Sequence, residues 1–376
     1  MLYIKHRPSP LANHLILATF FLTLLGLLTI YAASALKSAE LYGHPYHFLY
    51  KQMFGATVGF ASIYLLHLFS FIWIEHLTLP LLILSIITLI LVFVPNIYTK
   101  VGGASRWLRF GSLSIQPAEL VKVALVFFLA KNLSRSKFKI ANMRSALIPN
   151  LLVLAIFSIC LMKQPDFGSV VLLFIVTFLM LFVAGLPKNY IISTIVITCS
   201  LFAYAVVSAP YRLKRLISFL DPWSNASSGG FQIIQSYLAF KNGGLFGLGQ
   251  GLSKQKLFFL PEAHTDFILS VLAEEMGLLG VLLVFVLYFY IVLVGYRISI
   301  YQKNKYRKYL AFGLTSLLAT QTCLNIAVVT GLVPTKGIPL PFVSSGVSSL
   351  LSFLFCIAIL ARLASETTIP TTKTIS

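Results

Sequence analysis

Long apolar runs recur along the chain, most of them close to the roughly 20 residues that a helix needs to cross a bilayer core. They fall near 13–36, 49–69, 77–96, 116–132, 146–162, 168–186, 189–208, 267–296, 309–331 and 345–363. None alternates polar and apolar positions as a membrane-barrel strand does, so the pattern predicts ten helices and no strands. The fold class it defines is an all-α polytopic membrane protein, a single transmembrane domain over 1–376. Only one connection, 209–266, is long enough at 58 residues to hold structure of its own.

Within that outer loop, "FQIIQSYLAF" (231–240) sets Ile234, Tyr237 and Leu238 on one helical face and Gln232, Gln235 and Ser236 mostly on the other. Such a stretch suits either the membrane interface or packing on top of the bundle. "KNGGLFGLGQG" (241–251) carries five glycines, but no strand precedes it and no Gly-Lys-Ser/Thr follows. It reads as a turn that lets backbone approach a ligand or a helix end rather than as a phosphate loop. The Thr-rich tail 366–376 is expected to be disordered.

Composition closes off the soluble classes, because a chain 58% hydrophobic and 10% charged cannot be covered by a polar surface. Lysine and arginine gather in 131–144 and 297–308, which the positive-inside rule assigns to the cytoplasm. With Lys5 and Arg7 ahead of the first span and an even number of spans, both termini are cytoplasmic. The first span is too long for a signal-peptide core and reads as retained. The net charge of +19 is scattered over both sides, which argues against nucleic acid. Six basic residues (Arg212, Lys214, Arg215, Lys241, Lys254 and Lys256) sit in the outer loop, fitting an anionic partner or acidic headgroups there. Cys160, Cys199, Cys323 and Cys356 all fall within spans and form no disulfide framework or zinc spacing.

Only ten carboxylates exist in the chain, so the search for an acid or base is exhaustive. Glu75 and Glu366 read as cytoplasmic surface residues, and Glu40 and Asp221 lie in loops. Glu119 and Lys122, three apart, share one face of the fourth span and form an ion pair inside the bundle or a functional pair. Arg106 and Trp107 are interfacial anchors, or the arginine grips a phosphate with its planar fork. Asp166 shapes a turn, caps the sixth span or joins a site. Asp266 opens the eighth span, with Ser270 and Glu274 following at four-residue steps. Taken by itself, Asp266 reads as a helix cap favoured by the macrodipole, but Glu262 and His264 converge on it and Glu274 carries the polar face into the membrane, where ionisable groups are usually functional. A transporter would use such carboxylates near the midplane, an enzyme at the outer rim. Most of the candidates lie at the rim, which favours surface chemistry over transport; a purely structural scaffold is the third class. Metal ligand geometry is not legible, so no cofactor is expected, and a divalent cation stays open.

"GGASRWLRFGSLSIQPAEL" (102–120), "QPDFGSVVLLF" (164–174), the stretch from "RLISFLDPW" (215–223) to "LPEAHTDFI" (260–268), and "GIPLPFVSSGVSSLL" (337–351) resemble the SEDS family of bacterial peptidoglycan polymerases, named for shape, elongation, division and sporulation. The resemblance runs from about 13 to 363 and is nearer to the family's division branch. It implies an inverting glycosyltransferase that joins lipid II, the undecaprenyl-diphosphate-linked disaccharide–pentapeptide, into glycan strands at the outer face of the cytoplasmic membrane, at the septum. It also implies a class B penicillin-binding transpeptidase and other division proteins as partners. Asp266 matches the family's proposed catalytic aspartate, and would take the proton of the acceptor sugar's 4-hydroxyl. Arg106, Lys254, Lys256 and Lys336 would steady the leaving diphosphate, with Glu119, Lys122, Asp166, Glu262, His264 and Ser344 as further substrate-binding positions. The chain departs from the family pattern at Ser345, where Tyr is usual, at Val347 for Gly, at Ser105 for a basic residue, and at Phe231 for Tyr.

Overall fold

The computed structural model describes residues 9–94, 98–101, 104–110, 113–135, 143–226, 230–253 and 263–366. Every predicted apolar run overlaps a helix: α1 (Pro10–Tyr42), α2 (His47–Leu68), α4 (Thr78–Leu91) with the short α3 (Phe71–His76) ahead of it, α5 (Pro117–Arg135), α6 (Met143–Lys163), α7 (Phe167–Val183), α8 (Lys188–Val207), α11 (Ile268–Tyr301), α12 (Lys305–Val329) and α13 (Val347–Ala364). Among the described residues five stretches are both long and apolar enough to cross a membrane, and parts of α6 and α7 are shorter apolar helices. This is a multi-pass membrane protein.

Burial sorts the helices. From Phe353 to Ala364, α13 is almost wholly enclosed, as is α5 from Pro117 to Val126, so both are apolar around much of their circumference. Close approach to α13 relies on glycine: a Cβ at Gly59 of α2 would lie 2.2 Å from the Leu354 side chain. On the periphery, Leu79, Ile83, Leu84, Ile87 and Ile90 of α4 stay exposed, a contiguous apolar face suited to lipid.

The expectation of no strands fails in one place. Three strands, β1 (Tyr98–Val101), β2 (Ala104–Phe110) and β3 (Leu113–Ile115), form an antiparallel sheet between α4 and α5. "ASRWLRF" alternates side chains across a sheet, burying Leu108 completely while Arg109 stays exposed. Strands of this length escape a search for 20-residue runs.

Helices α9 (Pro210–Leu220) and α10 (Phe231–Gly243) lie in the long loop. Of the two readings of 231–240, packing on the bundle is the one the fold takes: α10 buries Ile233, Ile234, Ser236 and Ala239, and the Ser236 hydroxyl donates to Val329 O at 2.6 Å. It is α9 that keeps an apolar face open, through Leu213, Ile217 and Leu220. At its end Asp221 starts a turn, and hydrogen bonds from Ser224 hold its carboxyl below the usual carboxylate value.

The glycine run after α10 finds a helix break. Helix α11 kinks at Gly277, whose φ of 65° and ψ of −165° leave carbonyls and N–H groups unpaired on either side. Residues 244–249 fill that gap. Leu248 N donates to Glu274 O (2.9 Å) and Gly249 N to Glu275 O (3.0 Å), while Leu278 N donates to Gly244 O (2.9 Å). At Gly247, φ is +80° and a Cβ would sit 2.2 Å from Glu275 O, so only glycine fits.

At one end of the bundle charges are paired: Glu366 bridges Arg307 and Arg362, the latter at 2.9 Å. The other end is open, and there the sheet, α9, the turn 263–267 and the 330–346 loop meet.

Candidate active site

Asp266 lies on the turn just before α11. Phe267, not Asp266, occupies the N-cap position, and it makes no side-chain cap. The Asp266 backbone is fixed from two directions. Asn325 Nδ2 of α12 donates to Asp266 O (2.9 Å) and to Ile338 O (2.7 Å), tying the turn to the 330–346 loop. Next to it, Ser344 Oγ donates to Thr265 O (2.6 Å) and accepts from Leu340 N (2.8 Å). Gln52 of α2 anchors the same loop through Ser344 O (3.1 Å) and Gly346 N (3.1 Å).

The Asp266 carboxylate and the Arg106 guanidinium converge on Gly337. A Cβ built there would stand 3.3 Å from Asp266 Oδ2 and 3.8 Å from Arg106 Nη1. Arg106 is aimed by the carbonyls at the α6–α7 turn, donating from Nε to Gln164 O (3.2 Å) and from Nη2 to Pro165 O (2.6 Å). Those bonds occupy one edge of the planar fork and leave Nη1 toward Gly337.

A two-lobed cleft opens at this point. The larger lobe, about 370 Å³, is lined by Arg106, Trp107, Thr265, Asp266 and Ser345 among others. The smaller, about 120 Å³, is lined by Asp166, Phe167, Arg212 and Pro334, and both lobes share Arg106, Arg215, Lys336 and Gly337. Burial holds the Lys336 ammonium below the ordinary lysine value, with the Asp166 carboxylate opposing that shift. Asp166 caps α7, accepting from Ser169 N (3.2 Å) and Ser169 Oγ (2.7 Å).

Several sequence candidates fall elsewhere. Glu119 and Lys122 form a 2.7 Å ion pair inside the bundle, completed by Gln321 Oε1 at 2.6 Å from Lys122 Nζ, and line neither lobe. His264 is buried with its ring 4.9 Å from that of Phe48, and Ser344 is the clasp described above, so neither side chain lines the cleft. Ser270 and Glu274 face away from it: Ser270 meets Ser236 Oγ at 2.8 Å, and Glu274 accepts from Ser253 Oγ and Asn242 Nδ2. Lys254, Lys256 and Glu262 lie outside the described residues. Among the described residues no group of three or more His, Cys, Asp or Glu side chains converges to hold a metal. Sequence reasoning passed over Arg212 and Arg215 as members of the site, although their spacing of three on a basic, amphipathic segment was there to be read. It also missed Asn325, which with Gln321 is one of two amides in an apolar span.

Fold and cleft together define a polytopic membrane protein with a charged cleft at one end of its bundle. The chain matches the cell cycle protein family of FtsW, RodA and SpoVE over residues 13–369, and it belongs to that family. It is 39% identical to a probable peptidoglycan glycosyltransferase FtsW of Geobacter metallireducens, over 94% of each chain. It is 36% identical to stage V sporulation protein E of Bacillus subtilis, over 93% of this chain and 96% of that one. Among solved structures it resembles a chain of a peptidoglycan synthase complex that coordinates polymerisation and crosslinking, with a TM-score of 0.78, 27% identity, and 96% and 98% of the two chains covered. The rod shape determining protein RodA of Thermus thermophilus shares the fold at a TM-score of 0.69 and 24% identity, over 94% and 97% of the two chains.

Proposed function

We propose that this protein is a peptidoglycan glycosyltransferase that polymerises lipid II into glycan strands at the outer face of the cytoplasmic membrane during septal wall synthesis. The observation that carries the reading is the convergence of Asp266 Oδ2 and Arg106 Nη1 on an open cleft beside Gly337, in a chain whose relatives bear that enzyme's name. Basic loops at the opposite end support an outward-facing cleft by the positive-inside rule.

In this reading Asp266 accepts the proton of the acceptor's 4-hydroxyl as that oxygen bonds to the donor's anomeric carbon. The bond from that carbon to the diphosphate breaks, its electron pair leaves with the lipid diphosphate, and the configuration inverts. A sugar hydroxyl is a poor nucleophile, and positioned proton transfer supplies about 10²–10⁴-fold. Arg106 and Lys336 offset the charge that builds on the leaving group. A class B penicillin-binding transpeptidase and other division proteins are the proposed partners. Support for the first is the resemblance to a chain of a complex that couples polymerisation to crosslinking.

The test is an assay of purified protein with its transpeptidase partner and labelled lipid II, comparing wild type with Asp266→Ala. Glycan ladders from wild type and none from the variant are expected. Transfer of lipid II across liposomes with no polymer, unaffected by the variant, would establish a transporter instead.

A further inference from the structure

One polar side chain on the wall of the larger lobe is not used by the fold. Gln232, in the first turn of α10, is half-buried and lines the lobe together with Asp266, yet its amide has no hydrogen-bond partner among the described residues. Its neighbours on the helix are engaged: Ile233 and Ile234 are buried in the bundle, and the Ser236 hydroxyl lies between Ser270 Oγ (2.8 Å) and Val329 O (2.6 Å). Register sets Gln232 beside the proposed base. Helices α10 and α11 run side by side in the same direction, for Ser236 meets Ser270 and, further along both, Asn242 Nδ2 donates to Glu274 Oε1 (3.3 Å). Four residues before the Ser236–Ser270 pair stand Gln232 and Asp266, and both face the same lobe.

We propose that Gln232 orients the acceptor: its amide holds the 3-hydroxyl of the acceptor sugar and so turns the neighbouring 4-hydroxyl toward the Asp266 carboxylate. This role deepens the glycosyltransferase reading and rests on it. A primary amide offers an acceptor oxygen and two donor N–H groups, and a sugar hydroxyl, itself both donor and acceptor, can pair with either. On a pyranose ring the 3-hydroxyl stands on the carbon next to the reacting one, so it is the hydroxyl that a side chain beside the base meets, and fixing it fixes the direction of the attacking oxygen. Charged groups of the substrate are matched by guanidinium and ammonium groups elsewhere in the cleft, whereas a neutral amide matches a neutral hydroxyl. The Ser236–Ser270 contact keeps the two helices in register, so the amide and the carboxylate act on one ring from fixed positions.

The test gives the full chain, with its transpeptidase partner, two substrates: labelled lipid II, and lipid II whose terminal sugar lacks the 3-hydroxyl. That change leaves the donor's anomeric carbon and diphosphate untouched. Wild type should lose about 10–10²-fold in kcat on the deoxy substrate, with KM moving far less. Gln232→Ala should show a loss of the same size on lipid II and no further loss on the deoxy substrate, because the contact is already gone. Gln232→Asn, which keeps the amide on a shorter stem, should fall between wild type and Gln232→Ala. Gln235→Ala, on the same helix but lining neither lobe, should match wild type on both substrates. Equal losses from Gln232→Ala on the two substrates would overturn the role, and so would wild-type kcat on the deoxy substrate, an arm that needs no variant to fold. Wild type that makes no polymer from lipid II while moving it across liposomes would instead overturn the glycosyltransferase reading, and this role with it.

Discussion

Lys122 and Lys336 each stand near a carboxylate and an aromatic ring, yet their surroundings set them to different tasks. Lys122 is closed in. Glu119 holds its ammonium at 2.7 Å and Gln321 at 2.6 Å, Phe353 covers it at 5.7 Å, and only 3% of the residue is exposed. Gln321 in turn donates to Pro339 O at 2.9 Å, so the network reaches the loop behind the cleft without opening into it. Lys336 lines both lobes, and the carboxylate nearest in charge to it, Asp166, is occupied by Ser169. Charge balanced inside the bundle fixes helices relative to one another. In the proposed reading, the cations lining the open cleft receive an anionic substrate.

Four substitutions put that contrast at risk, from the largest expected effect to the smallest. Lys122→Met leaves Glu119 buried without its partner and should destabilise the fold by about 3–5 kcal/mol, read as a lower unfolding temperature in detergent. Adding Glu119→Gln should recover most of that loss, since the pair is then removed together. Arg106→Ala should cut kcat/KM for polymerisation by about 10²–10³, with thermal unfolding moving far less than in Lys122→Met. Gly247→Ala meets Glu275 O at 2.2 Å with φ at +80°. It should cost about 1–3 kcal/mol of stability and lower the rate, because the glycine clip steadies the half of α11 that follows Asp266.

The smallest effect is a pH limb. With its folded-state pKa below the ordinary 10.5, Lys336 binds fewer protons in the folded chain than in the unfolded one between those two values, so its contribution to stability rises with pH across that window. Activity should run the other way, as the ammonium is lost. The alkaline limb of kcat/KM should begin below 10.5 and disappear from that range in Lys336→Arg.

Much of the scaffold was legible because a bilayer imposes one length and one composition on every span. What escaped was short or depended on contacts distant in sequence. The sheet at 98–115 has strands of 4, 7 and 3 residues, too brief for a helix-length search. At 231–240 a mixed polar and apolar face fits either the membrane interface or packing on the bundle, and the fold takes the second; it is α9, shorter and more basic, that leaves Leu213, Ile217 and Leu220 exposed. At the site, Asp266 and Arg106 were readable from motifs, but their convergence on Gly337 depends on chain 160 residues apart and on Asn325, Ser344 and Gln52 as clasps. Glu119 and Lys122 show the opposite limit: spacing alone gave the pair, and only the fold shows that it faces Gln321 rather than the cleft.

The most direct measurement assays Asp266→Asn and the paired variant Glu119→Gln with Lys122→Met side by side, each with the transpeptidase partner and labelled lipid II. Asp266→Asn should unfold at the wild-type temperature and yield no glycan ladder, at least a 10²-fold loss of rate, while the paired variant should still make polymer. Wild-type ladders from Asp266→Asn, or loss of polymer in a paired variant that folds normally, would contradict the division of labour between cleft and bundle interior.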